Sequence, residues 1–296
     1  MTDRLIDLSE EPARLSVRLA QLVIERNDKD DATVPLEDLA VLIVSHPCVS
    51  YTHAVLAGII EAGGAFVVCD HRHMPIAMLL PVESHSTQAE RFVRQTEASE
   101  PTRKRLWQQI VEAKVRAQGR LLKELRNDDH GLSAMATRVI SGDGTNIESQ
   151  ASRRYWTALF GEENFKRDRD AGDQNRFLNY GYAVLRAIVA RAVCAAGLHP
   201  SFGVHHHNRY DAFCLADDLM EPFRPLVDRA VARWVAEHGV GGDLNREAKA
   251  ALIGALTQRF EIEGEWRSLF DIVARTASSL AAVFEGKSKD LLLPGE

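Results

Sequence analysis

The hydrophobic pattern of the chain changes near residue 83, and this change constrains the fold more than any other feature. Before it, apolar residues come in short β-branched runs bounded by turn-like residues, such as LAVLIVS (39–45) and AFVVCD (65–70), a pattern typical of strands. After it, up to about residue 285, apolar residues recur every three or four positions, as in RKRLWQQIVEAKVRAQGRLLKEL (103–125), which predicts helices. The fold class expected is α+β, with a small β-rich N-terminal domain followed by a larger all-α domain.

The same pattern gives the expected domain boundaries. A length of 296 residues suits two domains, and we place them at 1–83 and 84–285, with 286–296 as a flexible tail. Between the two strand-like runs, VSYTHAVLAGIIEAGG (49–64) predicts a short helix that ends at two glycines. Strand, helix and strand would suit a dinucleotide-binding fold, but SHPCVS (45–50), which follows the first strand, lacks the glycines that such a site needs.

Composition excludes several classes of protein. With 45% hydrophobic and 26% charged residues, the chain is neither disordered nor fibrous. It has no run of about 18 apolar residues, and its start lacks the layout of a signal peptide. Its four cysteines form no C-x-x-C pair, which argues against a zinc cluster and favours reduced thiols in a cytoplasm.

The charge is distributed unevenly. The net charge is −6, yet residues 101–126 contain eight basic residues and only two acidic ones. Such a helix either presents an ordinary solvated face or neutralises phosphates without reading base sequence. If the helix neutralises phosphates, its DNA-binding candidates are Arg103, Lys104 and Arg105. Arg153 and Arg154, in a later segment, are the other candidates.

Two polar segments of the helical region carry the candidate chemistry. In GDGTNIESQASRRYWTALFG (142–161), Thr145 or Asn146 would cap a helix that begins near Ile147 and places Glu148 in its first turn. Taken alone, Glu148 there is explained as an acid that complements the helix dipole.

The second segment is GVHHHNRYDAFCLADDLMEPFRP (203–225). Its three histidines point in different directions on any regular backbone, so they cannot all bind one ion. Asp217 and Asp218 lie four and three residues before Glu221, which places carboxylates on one helix face. The simpler alternative is an aspartate N-cap beside solvent-exposed histidines.

One glutamate, one histidine and a second carboxylate would form a mixed oxygen and nitrogen site. Hard oxygen ligands suit Mg²⁺, and an imidazole shifts the preference toward Mn²⁺. Such an ion polarises a phosphoryl oxygen and lowers the pKa of a bound hydroxyl. Together with the basic helix, these residues indicate phosphodiester chemistry.

These segments resemble a known family, the CRISPR-associated endonuclease that integrates new spacers, in the form typical of type II systems. The resemblance is carried by four stretches: VSHPCVSYTHAVLAGIIEAGGAFVVCDHRHMP (44–75), GDGTNIESQASRRY (142–155), LNYGYAVLRA (178–187) and HHHNRYDAFCLADDLMEPFRP (205–225). It implies a β-rich N-terminal domain for dimerisation and partner docking, and a helical catalytic domain.

The resemblance also implies a site and a reaction. Its metal ligands and catalytic residues fall on Glu148, His206 and Glu221, with His205 and Asp218 as reserves. Bound Mg²⁺ or Mn²⁺ would activate the 3′-hydroxyl of a short DNA fragment for attack on a phosphodiester of the repeat array.

The partners implied are double-stranded DNA, a second copy of the chain, and a small second CRISPR-associated protein whose dimer bridges two such dimers. The effector nuclease of type II systems is a further implied partner, the setting is a prokaryotic cytoplasm, and no membrane is involved. Two alternatives stay open, a non-catalytic DNA-binding scaffold of the same complex and a small-molecule metallohydrolase.

Overall fold

The computed structural model describes residues 4–27, 29–71, 74–81, 83, 85–161, 165–168, 171–262 and 264–294. Strands dominate the first eighty residues, as the sequence predicted. They are β1 (Arg4–Leu8), β2 (Arg14–Arg18), β3 (Gln21–Arg26), β4 (Lys29–Pro35), β5 (Leu39–Val44), β6 (Ser50–Tyr51), β7 (Ala65–Cys69) and β8 (Pro75–Leu79), with helix α1 (His53–Glu61) between β6 and β7.

The strands form two four-stranded sheets. The first has the order β1-β5-β7-β8, in which β1, β5 and β7 are parallel and β8 is antiparallel to β7. All six residues of β5 are buried, as expected for a parallel strand covered on both faces. The second sheet has the order β4-β3-β2-β6, and a small core that includes Leu15, Leu22 and Leu42 joins the two sheets.

The rest of the described chain is largely helical. Its helices are α2 (Gln88–Thr96), α3 (Glu100–Arg126), α4 (Leu132–Ala136), α5 (Ile147–Phe160), α6 (Asn175–Ala195), α7 (Cys214–Met220), α8 (Arg224–His238), α9 (Arg246–Thr257) and α10 (Leu269–Phe284). An antiparallel hairpin of β9 (Arg259–Ile262) and β10 (Glu265–Ser268) interrupts them, so this region is not all-α as expected. Its strand RFEI has only four residues and alternates in burial, so it does not stand out from the helical pattern expected up to about residue 285.

Helix α6 lies at the centre of the molecule. Fifteen of its 21 residues are buried, and it is packed against α7, α8, α9 and α10. By length and composition it is the one helix among the described residues that would suit a membrane span, but 78% of that window is buried inside the protein. Val41, Ile43 and Val67 of the first sheet share its hydrophobic core, so the sheet and the helices are packed as neighbouring layers.

The end of the chain also packs on this core. Leu291 and Leu293 are buried, and the Thr276 hydroxyl on α10 donates to the carbonyl of Leu292 at 2.6 Å. Burial alternates along LLL (291–293), where Leu292 is exposed between the two buried leucines. These contacts lie within the segment 286–296, for which the sequence predicts a flexible tail.

Candidate active site

Helices α3 and α5 and the turn after α7 bring two glutamates to one lysine. The Lys114 ammonium lies 2.6 Å from Glu148 Oε1 and 2.6 Å from Glu221 Oε2. Arg224, in the first turn of α8, contacts the other oxygen of Glu221 at 3.0 Å. Glu148 and Glu221, which are 73 residues apart in the chain, thus meet as the sequence analysis expected, with two cations that it did not include.

Glu148 is held in place by the start of α5. Asp143 lies just before the helix, and its carboxylate accepts hydrogen bonds from the backbone N–H groups of Ile147 (2.8 Å) and Glu148 (3.0 Å). Asp143 therefore caps the helix, and not Thr145 or Asn146 as expected; Asn146 makes no side-chain cap bond. An aspartate at the cap satisfies orphan amides and complements the helix dipole.

Asp218 holds the loop of residues 203–207, which contains the three histidines and is called the histidine loop below. Its buried carboxylate accepts from the backbone N–H groups of Val204 (2.7 Å) and His205 (2.8 Å) and lies 2.5 Å from His206 Nδ1. The close fit requires glycine at position 203, since a Cβ there would lie 2.3 Å from the carbonyl oxygen of His206. Asp218, the reserve ligand of the sequence analysis, is thus engaged on this loop, where it orients His206.

The three histidines have different surroundings. His206 directs Nδ1 to Asp218, which leaves Nε2 for a metal and fixes the ring as second-shell carboxylates do. His205 stacks on Trp107, with ring centroids 4.1 Å apart and planes at 4°, and His207 is exposed. The hydrogen bond with Asp218 raises the pKa of His206, against the effect of burial, and Glu221 and Glu148 raise it further, which places both glutamates in its electrostatic environment.

The acids of the DDLME segment each have their own partner. Asp217 makes a two-point ion pair with Arg186, at 2.6 Å and 2.7 Å, while Asp218 binds the histidine loop and Glu221 binds Lys114 and Arg224. The i, i+4 spacing of Asp217 and Glu221 therefore does not produce a shared carboxylate site. Of the three acids, Glu221 is the one in contact with the site of Glu148.

Burial and neighbouring charges shift the pKa values of Lys114 and Glu221 in opposite directions. Burial by itself would lower the pKa of Lys114, but Glu221 and Glu148 outweigh it and raise that pKa. For Glu221, burial would raise the pKa, but Arg224 and Lys114 lower it. The cluster thus pairs two glutamates with one lysine and one arginine.

A divalent ion in this cluster would need several side-chain donors directed at one point. Among the described residues, no three His, Cys, Asp or Glu side chains stand in the arrangement that holds an ion, because the lysine lies between the carboxylates. Glu221 Oε2 is buried and makes no hydrogen bond of good geometry with any described residue, although it is close to Lys114. Two carboxylates and an imidazole nitrogen suit Mg²⁺ or Mn²⁺, so the residues fit such an ion once the ammonium moves aside.

A groove with a volume of about 650 Å³ opens beside the cluster. Its lining includes Glu148, Glu221 and Lys114, together with Arg153, Lys166, Arg167, Trp156 and Phe165. Cations and aromatic rings in the same groove as the carboxylates suit a nucleic-acid strand, because rings stack on bases and cations contact phosphates.

The predicted DNA-binding residues lie on helices α3 and α5. Arg153 and Arg154 are exposed on α5, and Arg153 lines the groove. Lys104 is exposed on α3 and pairs with Glu100 at 2.7 Å. Arg103 and Arg105 are half-buried on the same helix, and none of these three lines the groove.

Sequence reasoning missed Lys114 and Arg224 as parts of the site. Lys114 was counted only as one of eight basic residues of a helix, although it lies among the apolar positions Ile110, Val111 and Val115, which are buried. A charged residue on the apolar face of a helix needs a buried partner. The position of Lys114 among apolar residues was therefore the sequence signal that could have identified it. Arg224 follows Pro222 directly after the acidic segment, and nothing in its spacing singled it out.

The chain is similar to proteins of one known family. The family model of CRISPR associated protein Cas1 matches residues 7–258. A CRISPR-associated endonuclease Cas1 from Neisseria meningitidis serogroup C is 36% identical, over 95% of this chain and 92% of its own length.

Two solved structures share the fold. A casposase bound to integration product superposes with a TM-score of 0.81 at 19% identity, over 99% of this chain and 94% of the other. A Cas6-RT-Cas1–Cas2 complex gives 0.75 at 19% identity, over 98% of this chain and 36% of the other. By its sequence match over most of its length, the chain belongs to the Cas1 family of CRISPR-associated endonucleases.

Proposed function

We propose that this protein is a CRISPR adaptation integrase that joins the 3′-hydroxyl ends of short DNA fragments to the repeat array, with Glu148, His206 and Glu221 as its metal ligands. The observation that carries the proposal is the meeting of Glu148 and Glu221 in the lining of an open groove, each 2.6 Å from a single cationic nitrogen. A pair of carboxylates held around one positive charge is what a divalent cation requires.

The metal would be held by both glutamates and by His206 Nε2, and it would polarise a phosphoryl oxygen and lower the pKa of a neighbouring hydroxyl. Asp218 keeps the proton of His206 on Nδ1, because its carboxylate accepts from the loop amides and from the ring. Arg224 holds Glu221 through Oε1, so that Oε2 faces the lysine. Asp143 fixes the first turn of α5 and with it the Glu148 backbone.

The reaction exchanges one phosphodiester for another. A bond forms between the 3′-oxygen of the fragment and a phosphorus atom of the repeat, and the bond from that phosphorus to its own 3′-oxygen breaks. The attacking hydroxyl loses its proton to solvent, and the leaving 3′-oxygen takes up a proton from solvent to become a hydroxyl. No nucleoside triphosphate is consumed. With water as the nucleophile, the same residues would cleave DNA, in keeping with the endonuclease name of the Neisseria relative.

The groove supports DNA as the substrate. Arg153, Lys166 and Arg167 contribute positive charge to its lining, and Trp156 contributes an aromatic ring. Contacts of this kind are made without reading base sequence. A small-molecule metallohydrolase would have no use for these cations next to the carboxylates.

We infer the partners from the relatives and the fold. One structural neighbour is a complex with Cas2 and another is bound to an integration product. We propose that this chain likewise acts on double-stranded DNA as a homodimer, with a Cas2-type dimer between two such dimers and with the type II effector nuclease as a further partner. Residues 1–83 would supply the dimer and partner surfaces, residues 84–285 would bind DNA and metal, and the assembly would act in a prokaryotic cytoplasm.

Strand transfer tests the proposal. A duplex with 3′-hydroxyl ends and a repeat-bearing plasmid would be incubated with the protein and its small partner, in Mn²⁺, Mg²⁺ or EDTA. Joining should require metal and should fall by at least about 100-fold in Glu148→Gln, His206→Ala and Glu221→Gln, since loss of even an outer-shell partner costs about 10–100-fold. Glu265→Gln, an exposed carboxylate on β10, is the matched control and should join normally.

DNA affinity would be measured on the same variants. Near-normal joining by Glu148→Gln and Glu221→Gln would refute the ligand assignment. Tight DNA binding by the wild-type protein with no joining in any metal would instead favour the non-catalytic scaffold.

A further inference from the structure

Lys114 occupies the place where the proposed ion would sit. Its side chain is 9% exposed, and its ammonium lies 2.6 Å from an oxygen of each glutamate. It comes from the middle of α3, a 27-residue helix, so its backbone is fixed while its four-carbon side chain can change rotamer. The ammonium is therefore a tethered cation in the metal position.

The charges of the cluster already balance. Glu148 and Glu221 carry two negative charges, and Lys114 and Arg224 carry two positive ones, all in direct contact. A divalent ion that enters this cluster meets carboxylates that are already paired and two cations that repel it. Without a further negative charge, the free protein should bind such an ion weakly.

DNA brings the missing negative charge. A phosphate in the groove beside the carboxylates would attract both the ion and the ammonium, so that the lysine can leave the carboxylates without losing its ion pair. The groove also holds an acceptor for the moving ammonium. Gln118 lies one turn along α3 on the same face and lines the groove, and its buried Oε1 has no hydrogen-bond partner among the described residues.

We propose that Lys114 couples metal binding to DNA binding: it competes with the ion in the free protein and moves to a DNA phosphate when substrate arrives. The inference rests on the proposed function, because it takes Glu148 and Glu221 as metal ligands. It makes Lys114 a residue that prevents the site from holding a reactive ion before DNA is in place. By linkage, the metal must strengthen DNA binding by the same factor by which DNA strengthens metal binding.

The test is the affinity for Mn²⁺, measured from the electron paramagnetic resonance signal of the free ion. Full-length protein would be titrated alone and with a saturating short duplex. Mn²⁺ bound by the duplex itself would be subtracted with a blank of Glu148→Ala plus the same duplex. The variants are Lys114→Met, which removes the charge, and Lys114→Arg, which keeps it. Lys287→Met is the matched control, because it removes the lysine of another Lys–Glu pair, at 2.5 Å from Glu285.

In the wild-type protein, DNA should increase the Mn²⁺ affinity by about 5-fold or more, within the usual range of coupling between sites. Lys114→Met should bind Mn²⁺ more tightly than wild type without DNA, and DNA should add little further. Lys114→Arg and Lys287→Met should both keep the coupling. A purely structural lysine would give the opposite result in the free protein, since its loss would loosen the site and weaken Mn²⁺ binding.

Other outcomes overturn the inference and separate it from the proposed function. If wild-type Mn²⁺ affinity is the same with and without DNA but is lost in Glu148→Ala, the metal site stands and the coupling is wrong. If Mn²⁺ binds no better than to Glu148→Ala in either condition, the metal site itself is wrong. The wild-type comparison needs no variant, so it decides the matter even if Lys114→Met does not fold.

Discussion

Asp228 is a buried acid whose two carboxylate oxygens each have a tyrosine donor. Tyr155 on α5 donates to Oδ2 at 2.6 Å, and Tyr182 on α6 donates to Oδ1. The ring of Tyr182 lies against the guanidinium of Arg224, 4.7 Å from its centroid. Asp228 thus joins the helices that carry Glu148 and Arg224, and it forms part of the groove wall.

The ionisation of Asp228 should appear in the pH dependence of stability. Burial raises its pKa to about 6, against the opposing effect of the hydrogen bonds from Tyr155 and Tyr182, from an ordinary value of 3.8. Because the folded state holds this proton more tightly than the unfolded state, the contribution to stability is present at low pH and is lost as pH rises toward and through 6. A shift of this size corresponds to about 3 kcal/mol between the two limits.

Asp228→Asn should remove that dependence while keeping the shape of the side chain. Urea unfolding of both proteins between pH 4.5 and 7.5 would measure it, and the wild-type protein should lose stability relative to the variant as the pH increases. Asp271→Asn, at a carboxylate 45% exposed on α10, is the control. Parallel curves for wild type and Asp228→Asn would show that Asp228 is ionised throughout the range.

For individual residues, the sequence predicts which acidic residues belong to the site, but not which side chains they pair with. Glu148 and Glu221 were selected from their segments, and the structure brings them together. Lys114 and the role of Asp218 were not foreseen, because an ion pair between residues 34 or 107 positions apart depends on how three helices pack. Local spacing even favoured pairing Asp217 with Glu221, which Arg186 prevents by binding Asp217.

Helices α6 and α8 approach each other at a glycine. A Cβ on Gly181 would lie 2.4 Å from Val227 Cγ1, so the close contact between the two helices depends on the missing side chain. Val227 lies next to Asp228, and Tyr182 lies next to Gly181. The spacing of α6 and α8 therefore sets the position of the tyrosine–aspartate hydrogen bond as well.

Gly181→Ala should destabilise the protein by about 1–3 kcal/mol, the usual cost of an overpacked core, although alanine is the better helix former. Gly254→Ala is the matched control, because a Cβ at Gly254 on α9 meets nothing within 4 Å. That change should stabilise the protein by up to about 1 kcal/mol. Chemical denaturation of the two variants would compare them, and equal stabilisation by both would contradict a tight contact between α6 and α8.

The existence of these helices was predictable, while their ends were less so. Strong periodicity identified α3 from sequence, and the helix expected to begin near Ile147 does begin there as α5. The cap was wrong because Asp143, with a positive φ of 51°, reaches the first amides from four residues back. The hairpin of β9 and β10 was missed because its strands have only four residues each, too few for a period to be read.

At the scale of the whole molecule, the β-rich and helical regions share a core and several polar contacts. Val41, Ile43 and Val67 of the first sheet are packed in the same hydrophobic cluster as α6. The Tyr180 hydroxyl on α6 donates to Asp7 on β1, and Arg191 donates to the carbonyl of Gly63 at 2.5 Å. Sequence periodicity predicts a boundary at residue 83, and these apolar and polar contacts cross it.

The protein should therefore unfold in a single cooperative transition, with calorimetric and van't Hoff enthalpies in agreement. Tyr180→Phe would remove the donor to Asp7, whose other carboxylate oxygen is buried without a hydrogen-bond partner among the described residues, and should cost about 1–3 kcal/mol. Because the sheet and α6 share apolar side chains, this loss should lower the midpoint of the whole transition and should not split it. Tyr51→Phe, which removes a hydroxyl from a half-exposed ring on β6, should leave the midpoint nearly unchanged. A wild-type scan with two transitions, only the lower of which moves in Tyr180→Phe, would mean that residues 1–83 unfold separately and that the shared core is too weak to join the two regions.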